Sequence, residues 1–225
     1  MSAVDQMITW LNDPLNWTNP GGVEERLVEH LTLSAGAVVL ACVVAWPIGI
    51  GMGRRGRGSG AVVVLSNVTQ AIPVIALLTI LSLTRLGFGA KAVILSLAVF
   101  AIPPLLATAY TGLRQVDADV REAARGMGMS SWQLLWRVEL PLAVPYLAAG
   151  LRTAAVQVIA TAGLAALVNG GGLGMIVAAG FGLGIAAGGG QILAGGLLIA
   201  LLALLTEVVL AVVQRLVTPV ALRRA

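Results

Sequence analysis

The sequence predicts an all-α protein that crosses a membrane several times. Of its 225 residues, 58% are hydrophobic and only 11% are charged, and the mean hydropathy is +0.95. The charges are also clustered, because residues 31–53, 58–84, 92–113 and 153–206 contain none. A helix needs about 20 apolar residues to cross a bilayer, and each of these stretches is long enough.

The uncharged stretches predict five transmembrane helices. Their approximate bounds are 31–53, 61–84, 92–113, 145–168 and 190–213. We expect residues 1–30 to form an extracytoplasmic segment, residues 31–213 to form the membrane domain and residues 214–225 to form a cytoplasmic tail. The first thirty residues contain five acidic groups and only Arg26, which is the reverse of the basic start of a secretory signal.

The apolar stretch 175–188 is too short for a full span and is interrupted by Gly180, Gly182 and Gly184. This pattern predicts a re-entrant or half-membrane helix before the last span. The alternative is a sixth span, which would place the C-terminal arginines outside the cell.

The distribution of basic residues predicts the orientation. With residues 114–144 in the cytoplasm, three basic residues lie outside: Arg26, Arg85 and Lys91. Ten lie inside: Arg54, Arg55, Arg57, Arg114, Arg121, Arg125, Arg137, Arg215, Arg223 and Arg224. Cytoplasmic loops carry an excess of Lys and Arg, so we expect the N-terminus outside and the C-terminus inside.

The long polar segment 114–144, called the 114–144 loop below, is predicted to form two short helices joined by a turn. Asp119 and Glu122 have the spacing of a capping box, and Ser130 and Gln133 repeat that spacing. Between the two boxes the helix should end, and the backbone there requires residues that tolerate positive φ. We expect the glycines at 126 and 128 to serve this purpose.

The second short helix should present Trp132, Leu135, Trp136 and Glu139 on one face, because they are three or four residues apart. Pro141 should limit how far this helix runs. The alanines at 123 and 124 should give the first helix a flat face suited to a groove on another protein. An amphipathic hairpin lying on the membrane surface is the alternative.

The 114–144 loop resembles the EAA loop of ABC-importer permeases, through which such permeases contact their ATPase. The resemblance rests on the E-A-A triplet at residues 122–124, followed by three residues, Gly128, nine residues and a hydrophobic-x-Leu-Pro motif at residues 138–141, with Val138 where Ile is usual. It implies that the following residues couple the chain to an ATPase: Glu122, Ala123, Ala124, Gly126, Gly128, Leu140 and Pro141.

A wider resemblance covers roughly residues 26 to 176 and extends to the permeases for glycine betaine, carnitine and choline. The motifs that carry it are Glu29-His30-Leu31, Trp46-Pro47-Ile48-Gly49, Gln70-Ala71-Ile72-Pro73, Arg125-Gly126-Met127-Gly128-Met129 and Gly171-Gly172-Leu173-Gly174. The chain is thus identified as resembling the permease subunit of an osmoprotectant importer. A permease for methionine or another small amino acid is the nearest alternative, and a stand-alone membrane channel is a more distant one.

The resemblance implies a type I importer fold with a MetI-like core in the plasma membrane of a prokaryote. It also implies three partners: two cytoplasmic ATPase subunits that hold ATP and Mg, a second permease chain, identical or paralogous, and an extracytoplasmic binding protein. The residues agree with this division of labour. Lys91 is the only lysine and lies in no glycine-rich loop, so the chain contains no P-loop and we expect no enzyme activity from it. A single His30 makes no metal site.

Polar residues inside the spans are candidates for the translocation path, since polar groups at membrane depth are costly. The candidates are the polar Asn67, Gln70, Gln157 and Thr161, together with Pro73. For Gln70, Gln157 and Thr161, hydrogen bonding between helices is the alternative. Pro73 is expected to kink the second span. The outer gate is expected to include Asn169, Gly171, Gly172 and Gly174.

Two further polar residues within the spans are expected to pair with each other. Arg152 is predicted to serve a structural role, with Glu207 as its partner. The ten aromatic residues are scattered and show no cage of the kind that binds quaternary ammonium groups, so selectivity is expected to reside mainly in the binding protein.

Overall fold

The computed structural model describes residues 2–56, 58, 60, 62, 64, 68, 69 and 71–218, and this part of the chain is helical without strands. Its helices are α1 (Ala3–Asn12), α2 (Leu15–Thr18), α3 (Val23–Arg55), α4 (Val74–Ser82), α5 (Ala90–Arg114), α6 (Ala118–Gly126), α7 (Ser131–Leu134), α8 (Leu140–Ala162), α9 (Gly174–Gly182) and α10 (Ile185–Val217). A π-helical turn, Leu135–Glu139, joins α7 to α8, and a 3₁₀ helix, Gly163–Val168, follows α8.

Four helical stretches of the described residues are long and apolar enough to cross a membrane. They are Leu15–Arg55, Ala90–Arg114, Ser131–Val168 and Ile185–Val217. They contain four of the five predicted spans. The remaining one, 61–84, is only partly described, so the fifth span stays a prediction; its described end contains α4.

The first and last spans differ most from their predicted bounds. α3 begins at Val23 rather than at residue 31, and α10 begins at Ile185 rather than at residue 190. Each has 33 residues and is therefore about 50 Å long, against about 30 Å of bilayer hydrocarbon. Both helices must extend beyond the hydrocarbon layer.

The core lies between α3, α5 and α8. The buried face of α3 has a small residue at every fourth position, namely Ala37, Ala41, Ala45, Gly49 and Gly53. This spacing allows α5 to approach so closely that a Cβ on Gly49 would lie 2.8 Å from the Leu106 carbonyl oxygen. Close packing of small residues is how membrane helices associate, and Gly49 and Gly53 serve this packing.

The segment 175–188 forms a short helix and a turn. α9 has only nine residues and runs antiparallel to the first part of α10, with Gly180 against Gly188 and Val177 against Gly195. A nine-residue helix is about 14 Å long and cannot cross the bilayer. The short helix thus agrees with the predicted half helix, while its position in the membrane stays a prediction.

Candidate functional site: the 114–144 loop, the path helix and the outer turn

The first helix of the 114–144 loop begins differently from the prediction. Its N-cap is Asp117, whose side chain accepts a hydrogen bond from the amide of Asp119 at 2.8 Å. Asp119 is therefore inside the first turn, and the predicted capping box between Asp119 and Glu122 is wrong. An Asp two residues earlier competes for the same role, because Asp is equally favoured as an N-cap.

The turn and the second helix begin as predicted. Gly128 has φ +82°, a left-handed conformation that side chains with a Cβ rarely adopt, whereas Gly126 is simply the last residue of α6. Ser130 accepts a hydrogen bond from the Gln133 amide at 3.3 Å, and the Gln133 side chain accepts one from the Ser130 amide at 2.9 Å. The capping box of α7 is thus confirmed.

The two alanines of the E-A-A triplet point in different directions, so the predicted flat alanine face is wrong. Ala124 is 2% exposed and packs inward, whereas Glu122 and Ala123 are exposed. Val120 and Met127 lie three residues before and four after Ala123 and are also exposed, Met127 by 71%. Together these residues form an apolar stripe on the outer face of α6.

The four residues predicted to share one face of the second helix do not share it. Leu135 and Glu139 are buried, whereas Trp132 and Trp136 are exposed and pack edge to face with ring centroids 5.6 Å apart. A π-helical turn at Leu135–Glu139 rotates the chain relative to an ideal helix, and the amide of Leu140 bonds back to the carbonyl of Leu135. A regular 3.6-residue period therefore misplaces these side chains.

Pro141 does not end the second helix, which corrects another prediction. The helical path runs from Ser131 through the π-helical turn into α8, with Leu140 and Pro141 as the first two residues of α8. Proline has a helical φ, and its missing N–H falls directly after the π-helical turn, where the hydrogen-bond register already changes. The loop is thus joined to α8 without a break.

Glu139 fixes the base of this loop through two arginines. Its carboxylate lies 2.7 Å from Nε of Arg54, at the end of α3, and 3.1 Å from Nε of Arg121, in α6. The carboxylate is almost fully buried, whereas the arginines are partly exposed. Arg54 also donates to the Ser131 carbonyl at 2.9 Å, and Arg121 donates to the Leu113 carbonyl. This cluster ties the loop to the ends of α3 and α5.

Two of the five path candidates can be compared directly on α8. Gln157 is exposed and forms no side-chain hydrogen bond to the described residues, and Thr153 and Ala160 continue the exposed face. Thr161 is partly exposed and donates to the Gln157 carbonyl at 2.7 Å. The side-chain amide of Gln157 is therefore left open by the residues that the structure describes.

Of the other path candidates, Pro73 lies at the start of α4. Pro73 precedes α4 and is its N-cap, and its carbonyl accepts hydrogen bonds from the amides of Ala76 and Leu77 at 2.9 and 3.3 Å. The chain is therefore interrupted at Pro73, as the predicted kink requires. Asn67 and Gln70 lie outside the described residues.

The turn at residues 169–174, called the outer turn because it is predicted to face outside, contains all four gate candidates. It is attached to α3. Asn169, Gly171 and Gly172 have positive φ, and a Cβ on Gly174 would collide with the Gly163 carbonyl. The Gly172 amide donates to the Glu29 carboxylate at 2.8 Å, and the Leu173 amide donates to Nδ1 of His30 at 3.3 Å. The glycines permit the turn, and two α3 side chains hold it.

His30 joins three parts of the fold from a fully buried position. Because its Nδ1 accepts the Leu173 N–H, its proton must lie on Nε2, which is 3.0 Å from the Ile159 carbonyl oxygen in α8. The ring therefore links α3, α8 and the outer turn as a neutral side chain.

The predicted partner of Arg152 is correct. Nε of Arg152 lies 3.1 Å from the Glu207 carboxylate, and the guanidinium also donates to the Gln214 side chain at 3.1 Å. Both partners are on α10, so the pair connects α8 to the last span. This geometry supports the structural role expected for Arg152.

Sequence reasoning did not assign roles to Glu139, Glu29 or Arg54. A signal existed for Glu139, since it is the only carboxylate in the second loop helix. No spacing rule connects it to Arg54, because the two are brought together only by the packing of α3 against the loop. Glu29 lay within a quoted motif and also pairs with Arg26 three residues earlier, but no sequence pattern identifies its bond to the Gly172 amide.

Comparisons with known proteins identify the family and agree with the fold. Residues 37–219 match the family model described as binding-protein-dependent transport system inner membrane component. The choline transport system permease protein OpuBB of Bacillus subtilis (strain 168) is 35% identical over 207 residues, covering 92% of this chain and 94% of that protein. The carnitine transport permease protein OpuCD of Listeria monocytogenes serotype 1/2a (strain 10403S) is 38% identical over 164 residues, covering 73% of this chain and 71% of that protein.

The fold is also similar to a solved structure. An inward-facing conformation of the MetNI methionine ABC transporter, in its CY5 native crystal form, contains a chain that superposes with a TM-score of 0.76 at 22% identity. The match covers 92% of this chain and all of the other. At this identity the likeness establishes the MetI-like fold alone.

Proposed function

Because the chain belongs to the family of binding-protein-dependent transport system inner membrane components, we propose that it is the membrane subunit of an ATP-driven importer for an osmoprotectant such as glycine betaine, choline or carnitine. Its relatives are permeases for these compounds. In this proposal two permease chains form the path, two cytoplasmic ATPase subunits bind ATP and Mg, and an extracytoplasmic protein delivers the substrate.

The observation that carries the mechanism is the unbroken helical path from Ser131 to Val168. An ATPase that holds the exposed stripe of Val120, Ala123 and Met127 moves the 114–144 loop when it binds ATP. Glu139 fixes the loop to the helix ends, and the continuous helix transmits the displacement to α8. The exposed face of α8 with Gln157 and Thr161 then lines the path, and the outer turn is the gate.

Uptake by the complete reconstituted complex tests the function. We expect ATP-dependent uptake of labelled choline, glycine betaine or carnitine, and no uptake of labelled methionine. Uptake of methionine alone would favour the amino-acid permease, and ion conductance by the isolated chain would favour a channel. Among the described residues the pair of aromatic rings in contact is Trp132 and Trp136, which lies in the 114–144 loop and not on the proposed path. This position supports selection of the substrate by the binding protein.

A substitution in the loop tests coupling. Gly128→Val should abolish ATPase co-purification and uptake while the chain still inserts, because valine at φ +82° costs roughly 1–3 kcal/mol of backbone strain. Gly182→Val is the matched control: a Cβ meets nothing within 4 Å at either glycine, but Gly182, the last residue of α9, lies outside the loop and has no positive φ. Equal loss in both variants would show that bulk, rather than backbone conformation, is responsible.

Single cysteines in a Cys42→Ala background test the orientation. We expect Asn12→Cys and Asn169→Cys to react with an impermeant maleimide in intact cells and Met127→Cys to react only after the cells are opened, since all three positions are exposed. This follows from the excess of arginine on the loop side. Labelling of position 127 in intact cells would reverse the proposed topology.

A further inference from the structure

Two adjoining cavities lie along α3 on the side of the 114–144 loop. The larger, called the α3 groove here, has a volume of about 910 Å³ and runs along α3 from Val38 to Arg54. Apart from Arg54 its walls are apolar, and Trp132 and Trp136 form the wall next to the loop. The groove is therefore shaped and lined for an elongated apolar ligand.

The second cavity, called the arginine cavity, has a volume of about 340 Å³ and shares Gly51 and Arg54 with the α3 groove. It is lined by Gly51, Arg54, Arg55, Arg121, Arg125, Ser131 and Glu139. Four arginines and one glutamate leave a formal excess of three positive charges. Glu139 is already paired with Arg54 and Arg121, and Arg55 and Arg125 have no ion pair with any described residue.

The combined dimensions match one leaflet of a bilayer. From Val38 to Arg54 α3 rises about 24 Å, which exceeds half of the roughly 30 Å hydrocarbon thickness by enough to reach the headgroup layer. The exposed Trp132 and Trp136 lie between the apolar and the charged part, where interfacial aromatic residues are expected. Under the proposed orientation this leaflet is the cytoplasmic one.

We propose that an anionic phospholipid of the cytoplasmic leaflet binds here, with an acyl chain in the α3 groove and its phosphate in the arginine cavity. Basic cavities at the cytoplasmic ends of membrane helices suit anionic headgroups, and the adjoining groove explains why the ligand is a lipid rather than a free anion. The lipid connects the 114–144 loop to the membrane beside the Glu139 ion pairs. The inference rests on the proposed orientation but not on the identity of the transported substrate.

The test uses the intact importer, labelled with bimane at Cys42. This residue is the chain's only cysteine and lines the α3 groove. The other subunits of the complex are prepared without reactive cysteines. Brominated phosphatidylglycerol should quench the bimane at about tenfold lower mole fraction than brominated phosphatidylcholine. Arg55→Gln combined with Arg125→Gln should remove this preference, because each arginine near a membrane surface contributes about fivefold in affinity. Arg137→Gln combined with Arg215→Gln makes the same charge change at two exposed positions outside both cavities and should retain it.

A second pair of variants tests the groove itself. Gly51→Leu places a side chain into open space at the junction of the two cavities and should also reduce the preference for phosphatidylglycerol. Gly196→Leu adds the same side chain at another unobstructed helical glycine, lines neither cavity and should leave the preference unchanged. Displacement of the brominated lipid by inorganic phosphate would show an anion site without lipid specificity and would overturn the proposal.

Other occupants give different results. Equal quenching by the two brominated lipids would overturn the proposal. Oxidative cross-linking of Cys42 to Cys42 would place a second permease chain over the groove. If the Arg55 and Arg125 substitutions released the ATPase and left lipid preference intact, an acidic ATPase surface would be the ligand instead. Because none of these measurements depends on substrate uptake, failure of the lipid site and failure of the proposed transport function are distinguishable.

Discussion

Replacing Glu139 by glutamine is expected to destabilise the 114–144 loop by about 2–3 kcal/mol. The substitution leaves Arg54 and Arg121 next to a neutral amide in a largely buried position, and breaking a buried ion pair commonly costs 3–5 kcal/mol. We place the value below that range because both guanidinium groups retain some contact with solvent and each keeps a backbone carbonyl partner. The apparent unfolding temperature of the purified chain should fall by about 5–10 °C.

A double-mutant cycle separates the ion pair from other effects. Glu139→Gln and Arg54→Gln should each destabilise the chain, and the combined variant should cost clearly less than the two single variants together, because the second change removes a group that has already lost its partner. Glu122→Gln removes an exposed carboxylate from the same loop and should leave the unfolding temperature unchanged. Additive effects in the cycle would mean that the two side chains do not interact.

The same variant should reduce transport more than substrate binding. The Glu139 carboxylate joins α3, α6 and the start of the continuous helix that leads into α8. Without it, movement of the loop is absorbed at the π-helical turn instead of being passed to α8. We therefore expect ATP hydrolysis to continue at a rate less dependent on the loaded binding protein, while uptake falls at least tenfold.

The sequence predicted the parts of this protein that depend on local patterns. Charge-free stretches located four spans, the Ser130–Gln133 spacing predicted the start of α7, and the single acidic residue in the last span identified the partner of Arg152. Each of these signals lies within one helix or concerns the few charged groups available at membrane depth. Neither kind depends on the exact packing of the helices.

The wrong predictions all concern the 114–144 loop. The contacts that sequence reasoning missed join segments that are distant in the chain. The π-helical turn at Leu135–Glu139 changes the side-chain period, so the assumption of a regular helix places Trp132 and Trp136 on the wrong face. The same assumption predicts that the helix ends at Pro141, whereas it continues into α8. Long-range bonds such as Leu173 N–H to His30 join positions 143 apart in the chain. A single sequence does not specify which backbone amide the buried histidine faces, because that depends on how the helices pack.

Replacing His30 by alanine is expected to release the outer turn and open the path toward the outside. The change removes the acceptor for the buried Leu173 amide and the donor to the Ile159 carbonyl, and an unsatisfied buried amide costs about 1–3 kcal/mol. Glu29 then holds the turn alone through Gly172. Since that turn is the proposed gate, the free-energy difference that favours the closed gate over the open gate should become much smaller.

The expected result is read from a cysteine on the path helix. In a Cys42→Ala background, Gln157→Cys should react slowly with a small cationic thiol reagent in the resting complex, and vanadate trapping of the ATPases should change this rate. Adding His30→Ala should raise the resting rate about tenfold, as a loss of about 1.4 kcal/mol in gate closure predicts. Val158→Cys, a fully buried neighbour on the same helix, should stay unreactive throughout.

His30→Asn distinguishes release of the turn from general damage to the fold. The side-chain oxygen of asparagine can take the place of Nδ1 and accept the Leu173 N–H, although it cannot reach the Ile159 carbonyl. This variant should therefore restore slow labelling at position 157 even though one of the two hydrogen bonds of His30 is still missing. If His30→Asn labels as fast as His30→Ala, the link to α8 matters more than the link to the turn. If labelling at 157 is absent in every variant, that face lies in the packed bundle and the turn does not control access to it.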